Sequence, residues 1–135
     1  MGKVIYSKIN VIQQDKGDIF KILTNDSVDF DKFGEAYYSN INFNEIKGWK
    51  KHLKMQCILI PVSGDVDVVT YSIESNQFEK FKLNIKDPYR LVIPPNIIFG
   101  FKGNEISNCI LNIGNILHNP EESLTYNLNE FKYNW

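Results

Sequence analysis

Apolar residues recur at every second position over most of this chain, and clusters of Gly, Pro, Asn and Asp interrupt them at short intervals. That pattern suits half-buried β-strands, whereas sustained helical periodicity is scarce. Ala36 is the only alanine in 135 residues, which disfavours a helical bundle, since alanine is the best helix former. Strands are predicted over 4–12, 19–23, 35–41, 46–49, 57–62, 66–73, 78–85, 90–93, 97–101 and 109–113. The run 57–62 is continuously apolar and reads as a strand buried on both faces. Within 66–73, Val66, Val68 and Thr70 share one face, and Asp67, Val69 and Tyr71 the other. Asp15-Lys16-Gly17-Asp18, Ser63-Gly64-Asp65, Ser75-Asn76, Asp87-Pro88 and Gly103-Asn104 supply turns. Pro120 suits the first position of one helical turn. Strands at this spacing make a sandwich or small barrel. The length fits a single domain over 1–135.

Several function classes are excluded at this level. Fifteen Lys and Arg against 16 Asp and Glu leave no bulk charge with which to hold a nucleic acid. No apolar run approaches the roughly 18 residues of a membrane span. The N-terminal stretch has no long apolar core and no small-residue cleavage site, so a cytoplasmic protein is expected. Cys57 and Cys109 lie far apart inside apolar runs and read as reduced core thiols. His52 and His118 are the only histidines, which rules out a site of three imidazoles within one chain.

Three ordered stretches carry a resemblance. They are Asp15-Lys16-Gly17 leading to Phe20, then Ile46-Lys47-Gly48-Trp49-Lys50-Lys51-His52 with Ser63-Gly64-Asp65-Val66, then Leu91-Val92-Ile93-Pro94-Pro95 running on to Gly100-Phe101. Together with the ending Phe131-Lys132-Tyr133-Asn134-Trp135, the set resembles the dTDP-4-dehydrorhamnose 3,5-epimerase family. The resemblance covers nearly the whole chain. It implies an all-β cupin, a double-stranded β-helix or jelly-roll barrel, usually a homodimer. Its barrel mouth would bind a nucleotide-linked 4-keto-6-deoxy sugar for polysaccharide synthesis, without a metal or other cofactor.

Such enzymes take protons alpha to a ketone, using a histidine base, a tyrosine acid and donors to the enolate oxygen. Carried across residue by residue, the base position is Lys50, the second-motif histidine is Phe99, and the acid tyrosine falls on Asn112. The family's catalytic pair is therefore absent. His52 is the imidazole left at a barrel-facing motif position, and an imidazole can serve as base or hydrogen-bond donor near neutral pH. Lys50 is the other candidate base, because desolvation favours a neutral amine. Lys47, and Lys16 in place of a family arginine, are candidates for diphosphate contact. Lys21 replaces a family glutamate, and Phe20 completes its motif. Tyr37, Tyr38 and Tyr71 are candidates for stacking or proton donation, although strand aromatics also serve as packing. Metal-bearing cupins would place their ligands at Lys50, His52, Gln56 and Phe99, which offer one good donor of four. The resemblance implies a 3,5-epimerase-like protein that acts on or binds such a sugar. The alternatives are a non-catalytic binding cupin and a 3,4-ketoisomerase of the same fold.

Overall fold

In the computed structural model, which describes residues 2–135, the alternating segments pair antiparallel into two five-stranded sheets. The strands are β1 (Ile5–Lys8), β2 (Asn10–Ile12), β3 (Ile19–Lys21), β4 (Glu35–Asn40), β5 (Ile46–His52), β6 (Cys57–Ser63), β7 (Asp65–Ser72), β8 (Gln77–Asn84), β9 (Tyr89–Ile93), β10 (Ile98–Gly103), β11 (Cys109–Gly114) and β12 (Ser123–Thr125). One sheet runs β1-β9-β6-β11-β4 and the other β12-β5-β10-β7-β8, with β2 and β3 forming a separate hairpin. The two sheets face each other as a jelly-roll barrel of the cupin type. No helix among the described residues is long and apolar enough to cross a membrane.

Strand parity decides what lies between the sheets. Cys57 and Leu59 on β6, Leu91 and Ile93 on β9, Val66 and Val68 on β7, and Phe99 and Phe101 on β10 form one buried cluster with Ile41, Met55, Leu83 and Ile110. The opposite faces are covered too. The hairpin and the 22–30 segment lay Phe20, Ile22, Leu23 and Phe30 over Ile58, Ile60 and Val92. Arg90, the only arginine, clamps that cover: Nε and Nη2 donate to the Asp29 carboxylate at 2.9 and 3.0 Å, and Nη1 to the Ile22 carbonyl at 2.9 Å. The predicted strand 4–12 is interrupted because Ile9 turns under this cover, its amide bonding the Pro88 carbonyl at 3.0 Å.

The C-terminal tail seals the other outer face. Tyr126, Phe131, Tyr133 and Trp135 pack with Tyr71 and Phe78 over Trp49, Val69 and Ile98. Trp49 is fully buried there, and its Nε1–H donates to the Leu128 carbonyl at 3.1 Å. Trp49→Phe keeps the aromatic body but strands that carbonyl. It should cost about 1–2 kcal/mol, read as a melting point lower by several degrees.

A bulge beside the tail re-aims one side chain. Phe99 pairs with Lys50 and Phe101 with Lys47, so Gly48 and Trp49 together oppose Gly100. A Cβ on Gly100 would meet the Lys47 carbonyl at 3.0 Å and the Trp135 ring at 3.3 Å, so the close approach requires glycine. Regular alternation would send Lys47 outward with Trp49. The extra residue turns it inward beside Lys50 instead.

Candidate active site

The barrel core is not filled at one end. A cavity of about 350 Å³ opens between β4 and β11 of one sheet and β12, β5 and β10 of the other. Tyr37, Ser39 and Asn112 form one wall. Lys47, Lys50, His52, Phe99, Phe101 and Thr125 form the other. Lys47 Nζ reaches across the mouth to Ser39 Oγ at 3.3 Å.

His52 sits at the end of β5, 4% exposed, with Phe99 lying across its ring at 6.1 Å between centroids. Its Nδ1 bonds Glu122 Oε2 at 2.7 Å. Glu122 comes from the 3-10 turn Pro120–Glu122, which Asn119 caps by accepting the Glu121 amide. The other carboxylate oxygen accepts the Lys54 and Met55 amides at 3.0 and 2.8 Å. Burial pushes the Glu122 carboxyl up, but the bonds from His52 and from the Met55 and Lys54 amides outweigh it and hold it below its ordinary range. An ionised Glu122 accepts the Nδ1 proton and fixes the ring tautomer. Nε2 is then the nitrogen that can exchange a proton with a molecule in the cavity.

Tyr37 stands on the opposite wall, directly across the β4–β11 pair from Asn112. Tyr37 keeps 41% of its surface exposed, and the partial burial that remains, then the nearby Cys57 and Glu35, pushes its phenol up to about 12, so it stays a hydrogen-bond donor at neutral pH. Burial, reinforced by Glu122, likewise pushes the Cys57 thiol up to about 12 and keeps it protonated. The chemistry available is a base on one wall and neutral donors on the other, with two ammonium groups at the edge.

Of the residues singled out from sequence, His52, Lys50, Lys47, Tyr37 and Asn112 come together in this cavity. Four others lie elsewhere, as does His118. Tyr38 is 70% exposed, because strand parity turns its neighbour Tyr37 inward. Tyr71 stacks on Phe78 at 4.4 Å outside the second sheet, the face its alternation with Val66 and Val68 dictates. Phe20 covers the outside of the first sheet, and Lys16 is exposed in the turn between β2 and β3. His118 lies in the loop after β11, its amide donating to Glu35 Oε1 at 2.6 Å. Glu122 was not singled out from sequence at all, since its partner is 70 residues away. Of the four positions that hold ligands in metal-bearing cupins, only His52 carries a strong donor, and Phe99 fills the last with a hydrocarbon ring. Among the described residues no three His, Cys, Asp or Glu side chains converge.

No protein-family model and no curated protein matches the chain. Solved structures do. A dTDP sugar isomerase from Desulfovibrio desulfuricans G20 is similar at a TM-score of 0.90 and 26% identity, covering 98% of this chain and 90% of that one. A sugar 3,4-ketoisomerase from Thermoanaerobacterium thermosaccharolyticum, solved with TDP, gives 0.79 and 17%, covering 95% and 93%. A dTDP-6-deoxy-D-glucose-3,5-epimerase from Legionella pneumophila, solved with dTDP-4-keto-L-rhamnose, gives 0.79 and 12%, covering 90% and 71%. The chain thus has the jelly roll of the dTDP-sugar isomerases and epimerases, as the sequence resemblance implies.

Proposed function

We propose that the chain is a sugar-nucleotide ketoisomerase, moving a ketone between C4 and C3 of a nucleotide-linked 6-deoxy sugar. The observation that carries this reading is the His52–Glu122 pair: one imidazole, oriented by a buried carboxylate, on one wall of the cavity. Such a shift needs a single base. His52 Nε2 takes the C3 proton and the electron pair forms the C3=C4 bond, leaving an enolate on O4. That oxygen gains a proton while the O3 hydroxyl gives one up and becomes the new ketone, and His52, its abstracted proton exchanged with solvent, delivers a proton to C4. Tyr37 supplies a donor to the developing enolate oxygen. Lys47 and Lys50 offer charge for the diphosphate. The similarity to the Desulfovibrio sugar isomerase over 98% of the chain supports the same reaction class.

Epimerisation is the second reading, favoured by Tyr37 facing the base from the opposite wall. A proton delivered from that side would invert C3 or C5 and leave the ketone at C4. The resemblance further implies a homodimer serving polysaccharide synthesis. A cytoplasmic setting fits the two free cysteines.

The test is incubation with dTDP-4-keto-6-deoxyglucose in heavy water, followed by NMR. Deuterium at C4 of a 3-keto product is expected. Deuterium at C3 or C5 of a 4-keto product with inverted configuration at that carbon establishes the epimerase instead. No incorporation and no 3-keto product at high protein concentration leave a binding protein and overturn both enzymatic readings.

A further inference from the structure

Asn112 is a polar residue that the fold does not explain. It stands on the inner face of β11, between Leu59 of β6 and Tyr37 of β4. It is 4% exposed, and its Oδ1 is buried without a hydrogen-bond partner. Such an orphan acceptor weakens a folded chain, and buried polar groups in native proteins are paired with few exceptions. A leucine at this position would extend the apolar cluster formed by Leu59 and Ile110. The residue also lines the cavity that holds His52, so what enters the cavity can supply the missing partner.

The chemistry of the side chain says what that partner is. A carboxamide presents one donor and one acceptor side by side in a plane. An α-hydroxyketone presents the complement, a carbonyl acceptor and a hydroxyl donor on adjacent carbons. We infer that Asn112 reads the ketone–hydroxyl edge of the sugar, its Nδ2–H donating to the carbonyl oxygen and its Oδ1 accepting from the neighbouring hydroxyl. This inference rests on the function proposed above and names a specificity-determining residue within it. A carboxamide neither gives nor takes a proton at neutral pH, so Asn112 holds the edge without adding an acid to that wall. Tyr37 beside it is then the wall's only phenol among the cavity-lining residues.

The experiment compares wild type with Asn112→Leu in calorimetric titrations against dTDP and against dTDP-4-keto-6-deoxyglucose. The variant loses both hydrogen bonds of that edge and should bind the keto sugar nucleotide at least about tenfold more weakly. It should bind dTDP within about twofold of wild type, with an undiminished melting point. If Leu is not accommodated, Asn112→Ala carries the same expectation for the two affinities. Equal weakening of both ligands, or of neither, overturns the inference while the ketoisomerase reading stands. If wild type binds neither ligand, the functional reading fails and takes this inference with it.

Discussion

His52→Asn should abolish deuterium incorporation into the keto sugar while leaving a folded protein that still binds it. The substitution is chosen for its geometry. An asparagine Nδ2 falls close to where the imidazole Nδ1 lies, so it can still donate to Glu122 Oε2, which His52 Nδ1 bonds at 2.7 Å. The buried carboxylate keeps a partner, and its bonds to the Lys54 and Met55 amides are untouched. What disappears is Nε2, the atom that can hold a proton on the cavity side. Loss of a positioned base slows such reactions by roughly 10²–10⁴-fold. The measurement is the initial rate of C3 proton loss by NMR, with affinity for the substrate measured in parallel. An exchange rate within tenfold of wild type would sink the assignment and move the base to Lys50 on the same wall, whose amine would then have to shed its proton. A collapse in affinity for the keto sugar with exchange unchanged would make His52 a binding group only.

The barrel was legible because period-2 alternation and turn chemistry agree along the whole chain. Val66, Val68 and Thr70 are buried as their pattern requires, and Cys57 to Ile60 are buried on both faces. Local breaks in that periodicity were less visible. Ile9 splits the first strand because of a cover 11 residues and more downstream, which no window around 4–12 contains. β5 runs on to His52, beyond the expected 49, since polar Lys50 and Lys51 carry no apolar signal. The candidate site was half legible for the same reason. Motif positions brought Lys47, Lys50, His52 and Asn112 together, but parity cannot choose between two consecutive tyrosines without knowing which face is inside. Glu122 could not be read from pattern. Its role exists only once a 3-10 turn brings it against a strand end 70 residues earlier.

Glu122→Gln tests that long-range pair through a tautomer rather than through removal. A glutamine whose oxygen keeps the Lys54 and Met55 amides must turn its NH2 toward His52, where Oε2 now accepts. Nδ1 then has to accept, and the ring proton moves to Nε2, the nitrogen that should be free to take one from the substrate. Exchange should fall by roughly 10²–10⁴-fold although His52 is intact. Stability should separate the two states by pH. The folded carboxyl lies below its ordinary range, so its contribution is complete above the unfolded carboxylate pKa of roughly 4.3 and is lost as pH falls through the lower folded value. The glutamine has no such proton to gain. Its melting point should therefore trail wild type at pH 7, by the equivalent of about 1–3 kcal/mol, and the gap should close as the pH is taken down to 3. A gap that is the same at both pH values would mean that Glu122 acts by packing alone. Normal exchange in a folded Glu122→Gln variant would remove the carboxylate from the orientation of the base.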